Sequence, residues 1–166
     1  MRDSEFTHVD ERGAARIVDV SEKQSTHRRA VAKCRVMLSR EAMRELEDDD
    51  VASRVFGEAR IVGTMATKQT STLIPLCHPV AINGVTINIS VGGDFVEVEA
   101  VVLAFDRTGL EMEALTACAV GALCIVGEFR KFEPKPTIAA LTLWEKSGGR
   151  SGNWTKVIDE TSLLSG

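Results

Sequence analysis

Apolar and polar positions alternate most cleanly between residues 85 and 100. Val85, Ile87, Ile89 and Val91 interleave with Thr86, Asn88 and Ser90, and after Gly92-Gly93-Asp94 the period resumes in Val96, Val98 and Ala100 against Glu97 and Glu99. A period of two on both sides of a glycine turn predicts an antiparallel hairpin with one wet face. Residues 30–38 alternate in the same way and predict an earlier strand. Ser39 then offers an N-cap for a short helix over residues 40–46. The acidic run Glu47-Asp48-Asp49-Asp50 reads as a solvated turn that ends this helix, because negative charge is unfavourable at a helix C-terminus. From residue 51 to 67, apolar side chains recur at 51, 55, 59, 62 and 66, the spacing of an amphipathic helix that leaves Arg54, Glu58 and Arg60 off the buried stripe. Thr108-Gly109-Leu110-Glu111 has the spacing of a capping box ahead of a helix over residues 112–129, apolar nearly all round and so expected to be buried on several sides. Residues 138–144 predict the last strand.

Strands, a hairpin and separate helices in this order predict an α+β fold with an antiparallel sheet and helices packed on one face. With 166 residues, one domain is expected: a mobile N-terminal tail over residues 1–28, the folded domain over 29–146 and a flexible C-terminal tail over 147–166. Pro75 and Pro79 bracket Leu76-Cys77-His78 as an extended, turn-bounded segment. The longest run without a charged or polar side chain of any size, residues 117–127, is shorter than the roughly 20 residues that cross a bilayer, so no membrane span is expected. The charged N-terminus has no apolar stretch behind it, which makes the expected address cytoplasmic. A formal charge of -4 supplies no global field for nucleic acid, and any anionic ligand must be held by a local basic cluster.

Candidate chemistry concentrates between residues 68 and 79, where Lys68, Cys77 and His78 lie close in sequence. A capped or core histidine is the commoner role for such a residue; as a candidate, His78 is the general acid or base, since an imidazole titrates near neutral pH unaided. Cys77 is a packing residue and not the partner of His78 in a nucleophile–base pair, because neighbours on an extended segment point to opposite faces. Cys34, Cys77, Cys118 and Cys124 lack paired spacing, so free thiols and no metal site are expected. Glu111 suits a helix N-terminus without further purpose, whereas Glu113 enters an apolar stretch and needs a partner. Lys146-Ser147-Gly148-Gly149-Arg150-Ser151-Gly152 reads either as a floppy basic tail or as a cradle of backbone N–H groups for phosphate.

Several blocks together resemble the molybdenum cofactor biosynthesis protein C family, the cyclic pyranopterin monophosphate synthases. They are Thr7-His8-Val9-Asp10, Val18-Asp19-Val20-Ser21-Glu22-Lys23, Ala59-Arg60-Ile61-Val62-Gly63, Leu73-Ile74-Pro75-Leu76-Cys77-His78-Pro79, Arg107-Thr108-Gly109-Leu110-Glu111-Met112-Glu113-Ala114-Leu115-Thr116-Ala117 and Glu145-Lys146-Ser147-Gly148-Gly149-Arg150-Ser151-Gly152. The resemblance implies a ferredoxin-like fold, assembly of dimers into a hexamer and an active site at a subunit interface. The implied reaction converts 3′,8-cyclo-7,8-dihydro-GTP to cyclic pyranopterin monophosphate with release of pyrophosphate, without a cofactor. By position, Arg28, Lys68 and Lys146 resemble the family's cationic substrate ligands, and Cys77, His78, Glu111, Met112 and Glu113 its pocket lining. This chain departs from the family in the catalytic set. Ala52-Ser53-Arg54 stands where the family has Lys-Gly-Asp, Gly127 replaces an aspartate, Arg130 replaces a lysine, and Gln69 and Thr72 replace an Arg and an Asp. His78, Arg130 and Glu128, which adjoins the lost aspartate, are therefore the candidate catalytic residues. Two roles are compatible with these departures: a synthase of this type, or a catalytically impaired paralogue that binds a purine nucleotide, acts on a related one, or serves as a structural or regulatory partner.

Overall fold

The structure is a computed structural model that describes residues 15–150 and 152–157. The Thr7-His8-Val9-Asp10 block, Ser151 and the last nine residues, 158–166, lie outside the described residues. Eight elements follow in chain order: β1 (Thr26–Met37), α1 (Arg40–Glu45), α2 (Asp49–Leu73), β2 (Ile82–Val91), β3 (Phe95–Asp106), α3 (Glu111–Phe129), β4 (Thr137–Ser147) and β5 (Trp154–Thr155). The strands form one sheet in the order β2-β3-β1-β4-β5, with every neighbouring pair antiparallel. This is the expected α+β class.

The pleat of β1 sorts its residues between two faces. Ala30, Ala32, Cys34 and Val36, all at most 1 % exposed, face the helices. On the other face Lys33 bonds Glu99 of β3 at 2.8 Å, Arg35 pairs with Glu97, and Asn88 of β2 donates to Glu99 at 2.9 Å. Cross-strand pairs of this kind fix the register of an exposed face. α3 lies against β1 and β3, and α2 packs on α3 and β2. Small residues make the helices approach closely: a Cβ on Gly63 of α2 would sit 2.9 Å from the carbonyl oxygen of Ala117, and one on Gly121 3.4 Å from that of Ala59.

Several boundaries differ from the sequence expectation, each for a local reason. The acidic run forms a solvated turn only at Glu47 and Asp48. Asp48 caps α2, its Oδ1 accepting from the amides of Asp50 (2.9 Å) and Val51 (3.3 Å), and Asp49 and Asp50 occupy the first turn, where the helix dipole favours negative charge. α2 continues six residues beyond 67, because Thr67 and Thr70 are buried with hydroxyls satisfied inside the helix. Thr67 donates to the Gly63 carbonyl at 3.0 Å and Thr70 to that of Thr67 at 3.0 Å. The capping box does not form: buried Leu110 occupies the N-cap position of α3 with no side-chain hydrogen bond. β1 begins at Thr26, within the segment expected to be tail, and β4 runs on to Ser147, with Trp154–Thr155 returning to pair with it. α3, although long and apolar enough to cross a membrane by length and composition, turns eight residues into the packed interior. All four cysteines are free thiols.

The helix crossing leads to a contrast between two glycines. Gly63→Val is expected to destabilise the fold by about 1–3 kcal/mol, since its side chain meets backbone. Gly127→Ala, whose Cβ meets nothing within 4 Å, is expected to stabilise it by about 0.5–1 kcal/mol through helix propensity. Urea denaturation of the two variants beside wild type measures both.

Candidate anion-binding cleft

One end of the sheet carries a cleft of about 1160 Å³. Its walls are the strand approach from Asp19 to Thr26, the start of β1, the loop from Arg107 to Glu111 and the chain from Lys146 to Arg150. Six cations line it, Lys23, Arg28, Arg29, Arg107, Lys146 and Arg150, against the carboxylates of Asp19, Glu22 and Glu111. Two of the cations are committed: Arg29 pairs with Glu145, and Lys146 donates to Glu111 Oε1 at 3.0 Å. No carboxylate among the described residues lies at ion-pair distance from Lys23, Arg28, Arg107 or Arg150. A chain of net charge -4 thus gathers positive charge in one concavity.

Arg28 is held in place by its neighbours. Its Nε donates to the Asp106 carbonyl and its Nη2 to that of Arg107, each at 3.2 Å. The glycines of the Lys146–Arg150 segment close over it: Gly148 and Gly149 have φ of +95° and +76°, and a Cβ on Gly149 would lie 1.8 Å from Arg28 Nη1. Only glycine permits both the backbone conformation and that approach. Glu111 folds back over Gly109, where a Cβ would collide with its carboxylate, and so reaches Lys146 instead of capping its own helix.

A second group of the expected residues lies outside the cleft lining but within electrostatic reach of it. The turn after α2, closed by Cys77 N–H donating to the Ile74 carbonyl at 3.0 Å, carries Cys77 and half-buried His78. Two hydrogen bonds from Ser21 hold the Asp19 carboxyl below the usual carboxylate range, and the nearby charge of His78 adds to the lowering. Burial pushes the Cys77 thiol up, and Glu113 reinforces it. Glu113 is 4 % exposed; burial raises its carboxyl, with Glu111 and Asp106 adding to the shift, and no cation among the described residues pairs with it. It is the one buried ionisable carboxyl in this region, a group that holds its proton to higher pH than usual.

Of the ten residues singled out in the sequence, Arg28, Glu111 and Lys146 line the cleft together; Cys77, His78 and Glu113 are outside its lining, with His78 acting on Asp19 of the cleft and Glu113 on Cys77 through charge. Lys68 is exposed on α2 and Met112 is 39 % exposed beside Glu111, both outside the cleft lining. Glu128 and Arg130 lie at the far end of α3, roughly 25 Å from Glu111 at 1.5 Å per residue. There Glu128 accepts from Arg54 of α2 at 2.5 Å, which holds its carboxyl below the ordinary value. The cleft also contains Arg150, the second cation of the segment read as a possible phosphate cradle, and Lys23, Arg29 and Arg107, which the sequence reading did not single out. Their common signal is a basic residue placed beside a turn or at the start of a strand. Among the described residues no three His, Cys, Asp or Glu side chains gather as a metal-binding group.

The MoaC family model matches residues 17–149. Proteins named cyclic pyranopterin monophosphate synthase from Thermomicrobium roseum and Streptomyces coelicolor are 45% identical over 160 residues and 44% identical over 152. These matches cover 95% of this chain and 96% of the first relative, and 91% of this chain and 89% of the second. Cyclic pyranopterin monophosphate synthase 2 of Mycobacterium tuberculosis is 41% identical over 156 residues, 93% of either chain. With most of its length matched and the cleft formed by the matching segments, this chain belongs to the MoaC family.

Proposed function

We propose that this chain acts in molybdenum cofactor biosynthesis as a cyclic pyranopterin monophosphate synthase-type protein. The cationic cleft takes the triphosphate of 3′,8-cyclo-7,8-dihydro-GTP, and pyrophosphate is the group released. The observation that carries this reading is the convergence of Arg28, Arg107, Lys23 and Arg150 in one cleft without carboxylate partners among the described residues. Guanidinium groups present fixed forks of donors to phosphate oxygens, and Arg28 is already anchored by two carbonyls, so little is lost in ordering it. Release of pyrophosphate requires negative charge on the leaving group to be stabilised, which is what preorganised cations supply. His78, whose charge acts on Asp19 of the cleft, and the buried carboxyl of Glu113, two residues along α3 from Glu111, are the groups able to carry protons.

The strand–helix–strand–strand–helix–strand order with its β2-β3-β1-β4 arrangement supports a ferredoxin-like reading of the fold. The single domain takes in the segments that flank residues 29–146, since its sheet runs from Thr26 to Thr155, and those segments contribute to the cleft. Two observations support assembly into a hexamer built of dimers. First, Ile61, Met65 and Leu73 on α2 and Leu123 on α3 are each more than half exposed. Second, Glu128 and Arg130 are too far from the cleft along α3 to meet one substrate with His78 in a single chain, so a second copy must bring that end of the helix. Lys68 and Met112, outside the cleft of their own chain, fall under the same requirement. The expected location is the cytoplasm.

A second reading, substrate binding with little turnover, is favoured by the Arg54–Glu128 pair. Ala52, Gly127 and Arg130 remove a lysine, an aspartate and a lysine from the family pattern. Glu128, the nearest carboxylate, is already engaged by Arg54. Arginine keeps its proton throughout the accessible pH range and transfers none.

Two outcomes follow. Inorganic tripolyphosphate is expected to bind wild type in calorimetric titration, more weakly as salt is added, and Arg28→Ala is expected to lose roughly tenfold or more. Salt-independent affinity, or an unaffected variant, would exclude the cleft as the phosphate site. Turnover of the cyclised nucleotide, read by mass spectrometry, is expected to lie at least roughly 10²-fold below that of a relative with the complete lysine and aspartate set. The triple variant Ala52→Lys, Gly127→Asp, Arg130→Lys is expected to raise it; equal rates for wild type and the complete relative would refute the assignment of these positions.

A further inference from the structure

The glycine segment over Arg28 does not end as a loose tail. After Gly152 the chain turns back, Trp154 and Thr155 pair with Lys146 and Glu145 of β4, and Lys156 N–H donates to the Trp144 carbonyl at 2.8 Å. The Lys156 ammonium lies 5.5 Å from the centre of the Trp144 ring, a second tie between the same two segments. Between the paired ends, the turn is closed from inside: Gly152 N–H donates to the Gly149 carbonyl at 3.1 Å, and Gly148 N–H donates to Asn153 Oδ1 at 3.3 Å.

These bonds matter because of what the glycines touch. Gly148 stands so close to β1 that a Cβ would lie 2.1 Å from the His27 carbonyl oxygen, and Gly149 lies directly on the Arg28 guanidinium. The guanidinium is thus bounded on one side by the carbonyls of Asp106 and Arg107 and on the other by the glycine turn. If the turn opens, the second boundary is gone and the fork of Arg28 is held by the two carbonyls alone. Asn153 is the side chain whose oxygen holds the first glycine of that turn. It is exposed and does not line the cleft, so any influence it has on a bound anion passes through the turn.

We propose that Asn153 is a positioning residue for anion binding: its side-chain oxygen holds the Gly148 amide, which keeps the glycine turn closed on Arg28 and fixes the orientation of that guanidinium in the cleft. The inference rests on the cleft being the phosphate site. It assigns to β5 the work of a strap: a two-residue strand with no core of its own, whose pairing returns Asn153 to within reach of Gly148.

The test is a double-mutant cycle on the full chain with inorganic tripolyphosphate as the probe, using Asn153→Ala and Arg28→Lys. Arg28→Lys keeps the charge but not the fork, so binding stays measurable. Asn153→Ala is expected to weaken binding about fivefold, the worth of one ordinary hydrogen bond, with the melting temperature unmoved. In the Arg28→Lys background the same substitution is expected to have no further effect, because there is no fork left to orient. Equal losses in both backgrounds, or no loss in either, would overturn the positioning role. Wild type that fails to bind tripolyphosphate, or binds no better than Arg28→Lys, would instead bring down the phosphate cleft and this inference with it. Loss of binding by Arg28→Lys but not by Asn153→Ala would overturn the positioning role alone. Hydrogen exchange supplies a measurement independent of the ligand. The Gly148 amide is expected to be slowed in wild type and in Asn153→Asp, which keeps an acceptor oxygen, and fast in Asn153→Ala. A Gly148 amide that exchanges equally fast in all three would show that the bond does not hold the turn.

Discussion

Everything at the cleft depends on how near α3 can come to β1. The strand offers alanine, alanine and cysteine at positions 30, 32 and 34, and the helix answers with Ala114, Ala117 and Cys118, all essentially without exposure. The Cys118 thiol donates to the Val98 carbonyl at 3.2 Å and lies 3.2 Å from Cys34 Sγ, so the helix is seated almost on the strand backbone. A larger side chain at any of these positions would lift α3 from the sheet. The lift would be felt at the N-terminus of the helix, where Glu111 meets Lys146 and where Glu113 is enclosed. Packing and chemistry are therefore joined in one contact: the small residues that look like mere core set the distance between the carboxylates of α3 and the cations of β1 and β4.

The same logic explains how an acidic chain maintains a basic cleft. On the open face of the sheet, each cation is matched across strands, Lys33 with Glu99 and Arg35 with Glu97. At the end of the sheet the matching stops, because the partners of Arg28 are the backbone carbonyls of Asp106 and Arg107, which orient a guanidinium without cancelling its charge. A carboxylate in their place would hold the side chain as well but would leave nothing for an anion.

The hairpin, the long apolar helix and the alternation in β1 were legible because each is a pattern of one period in contiguous residues. What misled was polarity used for local ends. Buried Thr67 and Thr70 look like the close of a helix, yet their hydroxyls bond carbonyls of their own helix and the stripe continues. Asp48 reads as the end of α1 and is the beginning of α2. Leu110 takes a cap position that the sequence gives to Thr108, because burying the leucine outweighs a capping bond worth about 1 kcal/mol. At the site, Arg28, Glu111 and Lys146 were reached through the family resemblance. Arg150 was reached as part of the possible phosphate cradle, whereas Lys23 and Arg107 were not singled out, since a basic residue near a turn is ordinary until the fold shows that several such turns share one end of the sheet.

The central place of β1 also bears on how the chain folds as it is made. Among the described residues β1 is the first strand to be synthesised, yet its neighbours are β3, which begins at Phe95, and β4, which begins at Thr137. For most of synthesis the strand that carries Arg28 has two unpaired edges, and β3 can cover only one of them. Antiparallel pairing across about a hundred residues is slow, and an open edge rich in alanine and valine invites pairing with other chains. The charges at Lys33 and Arg35, useful in the finished sheet for register, then serve earlier as a guard on that edge: a nascent chain meeting its own copy there would set like charges opposite one another until β3 arrives with its glutamates.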